Sequence, residues 1–411
     1  MRRSLNTRPR PDVAVIGLMV LFGVGAAAFF PFFSLWLKDR GLDPGEIGLV
    51  VGVMALGRIA TNSIWGHVAD SMLGRRDTLR IALAATVVTA GALSLARGAL
   101  GWVLTTAFLL AASSCAIGPS IDAIALEHLG EENVEGYGRI RAWMSVGYAV
   151  ANLVLGVLLQ AAGVKWAIPV FAMVSAAVLV WTVTLHRDPP RHTRRGGRFG
   201  SVGAALRGAP RLWAFLAAVL ILWTGFSAAW NFLGLRIEAE GGGPLLIGLG
   251  AALGGFFEVP IMRVSSRLSG VIGLRGVFAA GCGVYATAFL LWGVINNAVA
   301  ISLLTVMEGT GFALLFTSLV VIVGRLVPPS LYATGQSIAT TVAFGIATLI
   351  GGTVGGWVYQ DVGAVAVYAG ASVCALCAAG IAWVSLNAPA FTRHQQIESP
   401  IAPPPGPAAG V

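Results

Sequence analysis

Few ionisable side chains lie inside the long apolar stretches of this sequence, and two of them occupy equivalent positions in two different stretches. Arg58 and Glu258 are separated by 200 residues. At 1.5 Å per residue, each lies roughly 20 Å from the same end of its own helix. Ionisable groups are costly in a bilayer unless they are paired or face a cavity. The two residues therefore predict a charge pair that binds a substrate or carries a proton. The alternative is a structural ion pair, or an Arg58 side chain that reaches the membrane surface.

Three further charged residues lie at membrane depth. Asp122 is near the end of one apolar segment and Arg141 near the start of the next, so antiparallel helices would bring them together. That pair would hydrogen-bond a substrate or act as a latch. Glu308 lies roughly 17 Å into its helix, where a protonated carboxyl costs less than a carboxylate. It is a candidate proton site, or a neutral side chain bonded to nearby backbone.

Polar and aromatic side chains on the same segments could line a cavity, although each could equally be a packing residue. Phe29, Phe30 and Phe33 could stack on a flat substrate, as could Trp230. The polar candidates are Asn62, Tyr148, Asn152, Trp230, Asn231, Tyr285 and Gln336.

The elements that position these residues follow from composition. Of 411 residues, 56% are hydrophobic and only 11% are charged, against about 25% charged in soluble domains. This excludes a soluble enzyme, a disordered chain and a disulfide scaffold. Because a spanning helix needs about 20 apolar residues, the sequence predicts an all-α integral membrane protein with about 12 transmembrane helices. These segments lie near 12–37, 45–68, 79–97, 101–127, 138–162, 165–186, 212–236, 244–267, 272–294, 297–325, 333–359 and 364–387.

Basic residues divide and orient the chain. The arginine-rich stretch 187–211 separates six segments from six, which predicts a bundle over 1–186, a basic linker over 187–211 and a second bundle over 212–388. The Pro-rich tail 389–411 is expected to be disordered. Most of the 27 basic residues fall on one side if the N-terminus is inside. Both termini are therefore expected in the cytoplasm, and the positive net charge reflects topology rather than nucleic-acid binding.

The two halves resemble each other at a constant offset. Ile47-Gly48-Leu49 recurs as Ile247-Gly248-Leu249, again 200 residues later, and Gly156, Gln160 and Gly163 recur as Gly356, Gln360 and Gly363. A constant offset at two distant places indicates a duplicated six-helix unit. Parallel repeats about an axis along the membrane normal are typical of transporters with two six-helix halves.

One loop carries a family signature. The stretch Gly66-His67-Val68-Ala69-Asp70-Ser71-Met72-Leu73-Gly74-Arg75-Arg76 resembles the cytoplasmic loop of the major facilitator superfamily, with one extra residue before Gly74. The resemblance implies two pseudo-symmetric six-helix bundles, with Gly66, Asp70, Gly74, Arg75 and Arg76 as a gating loop. The alternative is a short loop that needs glycine for its turn and arginine for orientation.

A narrower resemblance is to the lactose-permease and phenylpropionate-permease branch of proton symporters. It is carried by Phe29–Leu37, by Gly138-Arg139-Ile140-Arg141 and by Phe257-Glu258-Val259-Pro260. The branch implies proton-coupled import of a small organic solute and a carboxylate–arginine pair, here Asp122 and Arg141. The arginine of span nine and the histidine of span ten in the sugar permease have no counterpart here, so lactose is not expected as the substrate.

Other functions have less support in the sequence. It contains no phosphate-binding loop, metal-ligand spacing or nucleophile triad, so no cofactor beyond a coupling proton is expected. The alternatives are a proton antiporter that expels a drug or natural product, and a membrane enzyme that uses the acidic cluster 127–135. The sequence favours a symporter in a bacterial inner membrane, monomeric, whose partners are a small solute and lipid.

Overall fold

The computed structural model describes residues 13–96, 99–129, 137–184, 210–328, 331–388 and 391. The predicted linker apart from residues 210 and 211, the predicted tail apart from residue 391, and the loop 130–136 lie outside these residues. Within them the chain is helical, as predicted. The helices are α1 Val13–Phe29, α2 Phe33–Asp39, α3 Pro44–His67, α4 Arg75–Ser94, α5 Leu100–Ser114, α6 Ile117–Leu129, α7 Tyr137–Ala162, α8 Ala167–Trp181, α9 Pro210–Ala239, α10 Pro244–Val294, α11 Ala298–Leu303, α12 Thr305–Leu326, α13 Tyr332–Thr341, α14 Ala347–Asp361 and α15 Ala364–Ser385.

These helices form the expected spans. Ten helical stretches of the described chain are long and apolar enough to cross a membrane, and the bent pair α1–α2 adds an eleventh. Helix α10 has 51 residues, about twice what one crossing needs. It turns at Gly273, whose φ of 71° suits glycine, and so provides spans eight and nine. Span one is then α1–α2, span two α3, span three α4, span four α5–α6, span five α7 and span six α8. In the second half, span seven is α9, span ten α11–α12, span eleven α13–α14 and span twelve α15.

Span one is broken inside its aromatic run. Helix α1 ends at Phe29 and α2 begins at Phe33, with a bend of 40° between them. Pro31 has no backbone N–H to continue the helical hydrogen bonds, which explains the break. The bend lets the run face several directions: Phe29 and Phe33 are buried, whereas Phe30 is 49% exposed.

The two halves meet through repeat-related glycines. A methyl group on Gly48 of span two would lie 2.5 Å from the carbonyl oxygen of Gly352 and 2.8 Å from Cα of Gly356, both in span eleven. Gly248 of span eight approaches the Asn152 carbonyl and Gly156 of span five in the same way. The positions that repeat in the sequence therefore make equivalent contacts in the structure.

The same ends of the helices carry repeat-related polar contacts. The Gln360 Oε1 accepts a hydrogen bond from the backbone N–H of Gly45 at 2.9 Å. Gln160 Oε1 accepts one from Leu245 N–H at 3.4 Å. Lys38 and Glu238, again 200 positions apart, form an ion pair across the two halves. We call this end of the bundle, with loops 40–43 and 240–243, the outer end, because the charge pattern predicts that it lies outside.

Span eleven packs between span seven of its own half and span two of the other half. Gly351 and Gly355 face span seven, where they contact the Thr224 carbonyl and Ala228. One residue further on, Gly352 and Gly356 face span two. Glycines four residues apart lie on one face of a helix and allow close backbone approach. The sequence-based interpretation of this Gly-rich run as helix packing is thus confirmed.

At the opposite, inner end the halves are further apart. Asn62 and Ser63 of span two and Ser337 and Thr340 of span eleven are exposed there, and all four line one cavity. The halves are therefore closed together at the outer end and open toward the inner end.

Candidate functional site

A cavity of about 710 Å³ lies between the halves, toward the inner end. Its walls come from spans one, two, three, four and six of the first half and from span eleven of the second. Its size and largely apolar walls are those of a site for a small organic molecule. The rings that line it belong to Phe22, Phe29, Phe30, Phe171 and Phe344.

Arg58 lines this cavity, but the expected pair with Glu258 does not form. Among the described residues, no carboxylate lies within ion-pair distance of Arg58, whose guanidinium carbon is 5.8 Å from the ring centre of Phe30. The basic side chain that acts on Glu258 is Arg141. The reason is geometric: span two packs on span eleven and span eight on span five. Residues related by the pseudo-two-fold axis face each other only when they lie close to it.

Glu258 belongs instead to a second group, here called the carboxyl cluster and defined as Glu258, Glu308, Tyr285 and Tyr148. Tyr285 OH donates to Glu308 Oε1 at 3.4 Å, and the other oxygen of Glu308 lies against Gly254. Glu258 and Glu308 are close enough to interact electrostatically, and Tyr148 interacts electrostatically with both. Glu308 is 7% exposed, and Tyr285 is fully buried.

The carboxyl cluster crosses the interface between the halves. Tyr148 belongs to span five, and its ring packs against Gly255 of span eight. Arg141, also of span five, connects the cluster to Asp122, with its Nε 3.9 Å from Asp122 Oδ1. Four of the charged residues predicted from the sequence are therefore brought together, and only Arg58 lies apart.

The Asp122–Arg141 pair is the weaker part of this arrangement. Both side chains are about 40% exposed, and exposed ion pairs contribute about 0–1 kcal/mol. We expect Asp122→Asn to change coupled uptake by less than about fivefold. Arg141→Gln, which also removes a positive charge that acts on Glu258, should lower coupled uptake by more than about tenfold. Uptake of a radiolabelled solute into proteoliposomes measures both.

The exchanged pair Asp122→Arg/Arg141→Asp separates the two roles of Arg141. The exchange places a carboxylate beside Glu258, and we expect it not to restore uptake. Restored uptake would instead indicate a latch confined to Asp122 and Arg141. Loss of uptake in Arg141→Lys would favour a bidentate contact with a carboxylate.

Some of the other predicted cavity residues lie beside a cavity or the carboxyl cluster, and others lie in contacts between helices. Asn231 lines a small cavity of about 50 Å³ beside Arg58, and its Nδ2 donates to the Ser227 carbonyl at 2.8 Å. Trp230 stacks on Phe226, which stacks in turn on Tyr285 of the carboxyl cluster. Two residues serve packing in this conformation: Asn152 is fully buried beside the Gly248 contact, and Gln336 Nε2 donates to the Val320 carbonyl at 2.7 Å.

The gating loop is attached to its own half. Arg75 forms an ion pair with Glu127 at the end of α6, and Arg76 donates to the Thr182 carbonyl at 3.3 Å. Asp70 lies exposed in a π-helical turn over Val68–Leu73 and forms no ion pair with a described residue. Gly74, with φ of 80°, ends that turn, and a side chain on Gly66 would meet open space. A gating role for the loop stays a prediction.

Several cavity residues were not singled out by the sequence. Phe171 and Phe344 are apolar residues in apolar spans, as are dozens of lipid-facing positions. Ser114, Cys115 and Ser175 also line the cavity. No periodic signal separates a cavity face from a lipid face in a helix that is apolar all round.

The geometry can be compared with known proteins. The family model described as "MFS_1 like family" matches residues 16–369. The maltose permease of Geobacillus stearothermophilus is 27% identical over 368 residues, which are 87% of this chain and 90% of that protein. A probable 3-phenylpropionic acid transporter of Escherichia coli K12 is 24% identical over 282 residues, 68% of this chain and 73% of that one.

Solved structures agree on the fold. The nucleoside transporter NupG superposes with a TM-score of 0.80 at 15% identity, over 92% of this chain and 99% of that one. A POT family transporter gives 0.70 at 14% identity, over 90% of this chain and 94% of that one. All these proteins are transporters rather than enzymes, and the resemblance carried by the loop and by Phe29–Leu37 is confirmed. The chain belongs to the MFS_1 like family and is a secondary transporter of the major facilitator type.

Proposed function

We propose that this protein is a proton-coupled symporter that imports a small organic solute by alternating access. The observation that carries the proposal is the position of the carboxyl cluster across the interface between the halves. Arg141 and Tyr148 come from the first half, and Glu258 and Glu308 from the second. Any rocking of the halves changes the surroundings of these carboxyl groups, so proton binding and conformation are coupled.

The chemistry required of the cluster is modest. A carboxyl group in a low-dielectric site is favoured in its neutral form, and a neighbouring arginine favours the charged form. Movement of Arg141 toward or away from Glu258 would therefore release or take up a proton. Glu308, which accepts a hydrogen bond from Tyr285, is the second carrier. No cofactor takes part in this scheme.

The setting follows the charge pattern. The excess of arginine at the inner end supports a bacterial inner membrane with both termini in the cytoplasm. The cavity is complete within one chain, which supports a working monomer. A small organic solute agrees with the names of the two relatives, which give a disaccharide and an aromatic acid.

Purified protein in liposomes that contain a pH-sensitive dye tests the proposal. Sugars, nucleosides, aromatic acids and hydrophobic cations are added outside in turn. Acidification of the lumen by one class, beyond that in protein-free liposomes, is the expected result; the subtraction is needed because undissociated acids cross lipid unaided. Alkalinisation would indicate antiport and export, and solute exchange without any pH change would contradict proton coupling.

A further inference from the structure

The cavity between the halves contains one charge. Among its described lining residues, Arg58 is the only ionisable side chain apart from the thiol Cys115. Arg58 forms no hydrogen bond or ion pair with a described residue, and its only ring contact is with Phe30. An arginine is always protonated, and a cation at this depth without a counter-charge is costly. A ligand that brings a negative charge removes that cost.

The space beside Arg58 has the dimensions of a small anionic group. Arg58 also borders the cavity of about 50 Å³, which it shares with Phe33 and with Asn231 of the second half. A volume of 10–15 Å³ on this scale holds one water, so a carboxylate fits. A carboxylate here would accept a bidentate contact from Arg58 while it faces Asn231. It would thereby touch both halves at once.

The remaining walls suit an apolar body rather than a polyhydroxyl compound. Phe29 lies 5.0 Å, centre to centre, from Phe171 and forms an edge contact with Phe30 at 5.5 Å. Three of the six hydroxyl groups in the described walls donate within their own helices, those of Ser175, Thr340 and Thr341. A disaccharide would therefore find fewer polar partners in these walls than it has hydroxyl groups, which costs binding energy.

We infer that the transported solute is an organic monocarboxylate with an aromatic or similarly apolar body, and that Arg58 binds its carboxylate. The inference rests on the proposed transport function but is tested by binding alone. It requires that the negative charge of the ligand determine affinity through its contact with the Arg58 guanidinium. The apolar body should contribute equally to the binding of an acid and of its neutral analogue.

The test uses the purified chain in detergent with a matched pair of probes, 4-phenylbutanoate and its amide, and maltose as a third ligand. Calorimetry is expected to give saturable binding of the acid at least about tenfold tighter than of the amide, which corresponds to one charge-assisted contact. Arg58→Gln should lower the affinity for the acid by at least about tenfold and leave that for the amide unchanged. Arg58→Lys should recover part of the loss. The control Arg275→Gln alters an arginine that stacks on Trp383 outside the cavity and should change neither affinity.

The outcomes separate this inference from the proposed function. Equal binding of acid and amide, unchanged acid binding in Arg58→Gln, tighter binding of maltose, or no saturable binding of the acid would each overturn it. The melting temperature of each variant shows that it is folded. If the acid binds as expected but its transport moves no protons in the liposome assay, the substrate class stands and symport fails. Proton-coupled transport of maltose alone would leave symport standing and overturn the class.

Discussion

Replacement of Glu258 by glutamine is expected to abolish proton-driven accumulation while leaving solute exchange intact. Glu258 lies at the interface between the halves, close enough to Arg141 and Glu308 to interact with both electrostatically. Glutamine keeps the size and hydrogen-bonding ability of the side chain but cannot exchange a proton. If one proton accompanies one solute, a gradient of one pH unit supports about tenfold accumulation. The variant should reach no accumulation above equilibrium.

Uptake of labelled solute into proteoliposomes, with and without an imposed pH gradient, measures this effect. Counterflow without a gradient shows that binding and conformational exchange persist. Glu308→Gln should give the same loss, because its carboxyl is buried with Tyr285 as its hydrogen-bond partner. Asp361→Asn is the matched control, since Asp361 is exposed at the end of span eleven. Normal gradient-driven accumulation by Glu258→Gln would show that the proton is carried elsewhere.

The second large effect is expected at the outer contact between the halves. A valine at Gly48 would press its side chain against the Gly352 carbonyl and Gly356 Cα. Backbone atoms cannot rotate away, so spans two and eleven must separate at the outer end. Overpacking of this kind costs about 1–3 kcal/mol, enough to shift a two-state equilibrium about 5- to 150-fold. We expect Gly48→Val to favour a conformation open at the outer end and to slow transport by more than about fivefold.

Spin labels report the shift directly. In a variant without native cysteines, labels at the exposed positions Leu95 and Val362 follow the outer end, and labels at Met72 and Val271 follow the inner end. The outer distance should lengthen and the inner distance shorten. Gly248→Val should act in the same way through span five, whereas Gly91→Val should not, because a side chain there meets open space. Unchanged distances in Gly48→Val would mean that the halves do not close through this contact.

The sequence predicted the features that depend on composition and periodicity. Twelve spans, two halves and the 200-residue repeat follow from apolar length and from glycines at a constant offset. The structure adds that residues of the repeat contact one another, as Gly48 and Gly356 do. What it could not supply is the distance of each residue from the pseudo-two-fold axis. Arg58 and Glu258 are equivalent by the repeat and yet lie in different groups of residues.

The same limit explains the mixed result for the candidate site. Counting residues along antiparallel helices predicted that Asp122 and Arg141 lie close together, because rise per residue is fixed, and the two side chains are 3.9 Å apart. The rotation of a helix about its axis decides whether a side chain faces the cavity, a neighbouring helix or lipid. A helix that is apolar all round has no amphipathic pattern from which this rotation could be predicted. Asn152 and Gln336 therefore turned out to be bound within the packing, while Phe171 and Phe344 were revealed only by the structure.

The Lys38–Glu238 pair has a consequence for the ancestry of the fold. In a homodimer of two separate six-helix chains, a residue beside the symmetry axis meets its own copy. A lysine at this place would face a lysine, and a glutamate would face a glutamate, so no attraction between unlike charges is available there. Fusion of the two genes into one chain lets the two copies of this position evolve independently, and a cation can then be matched with an anion. The attraction between Lys38 and Glu238 is therefore one that a homodimer of unfused chains could not form at this position.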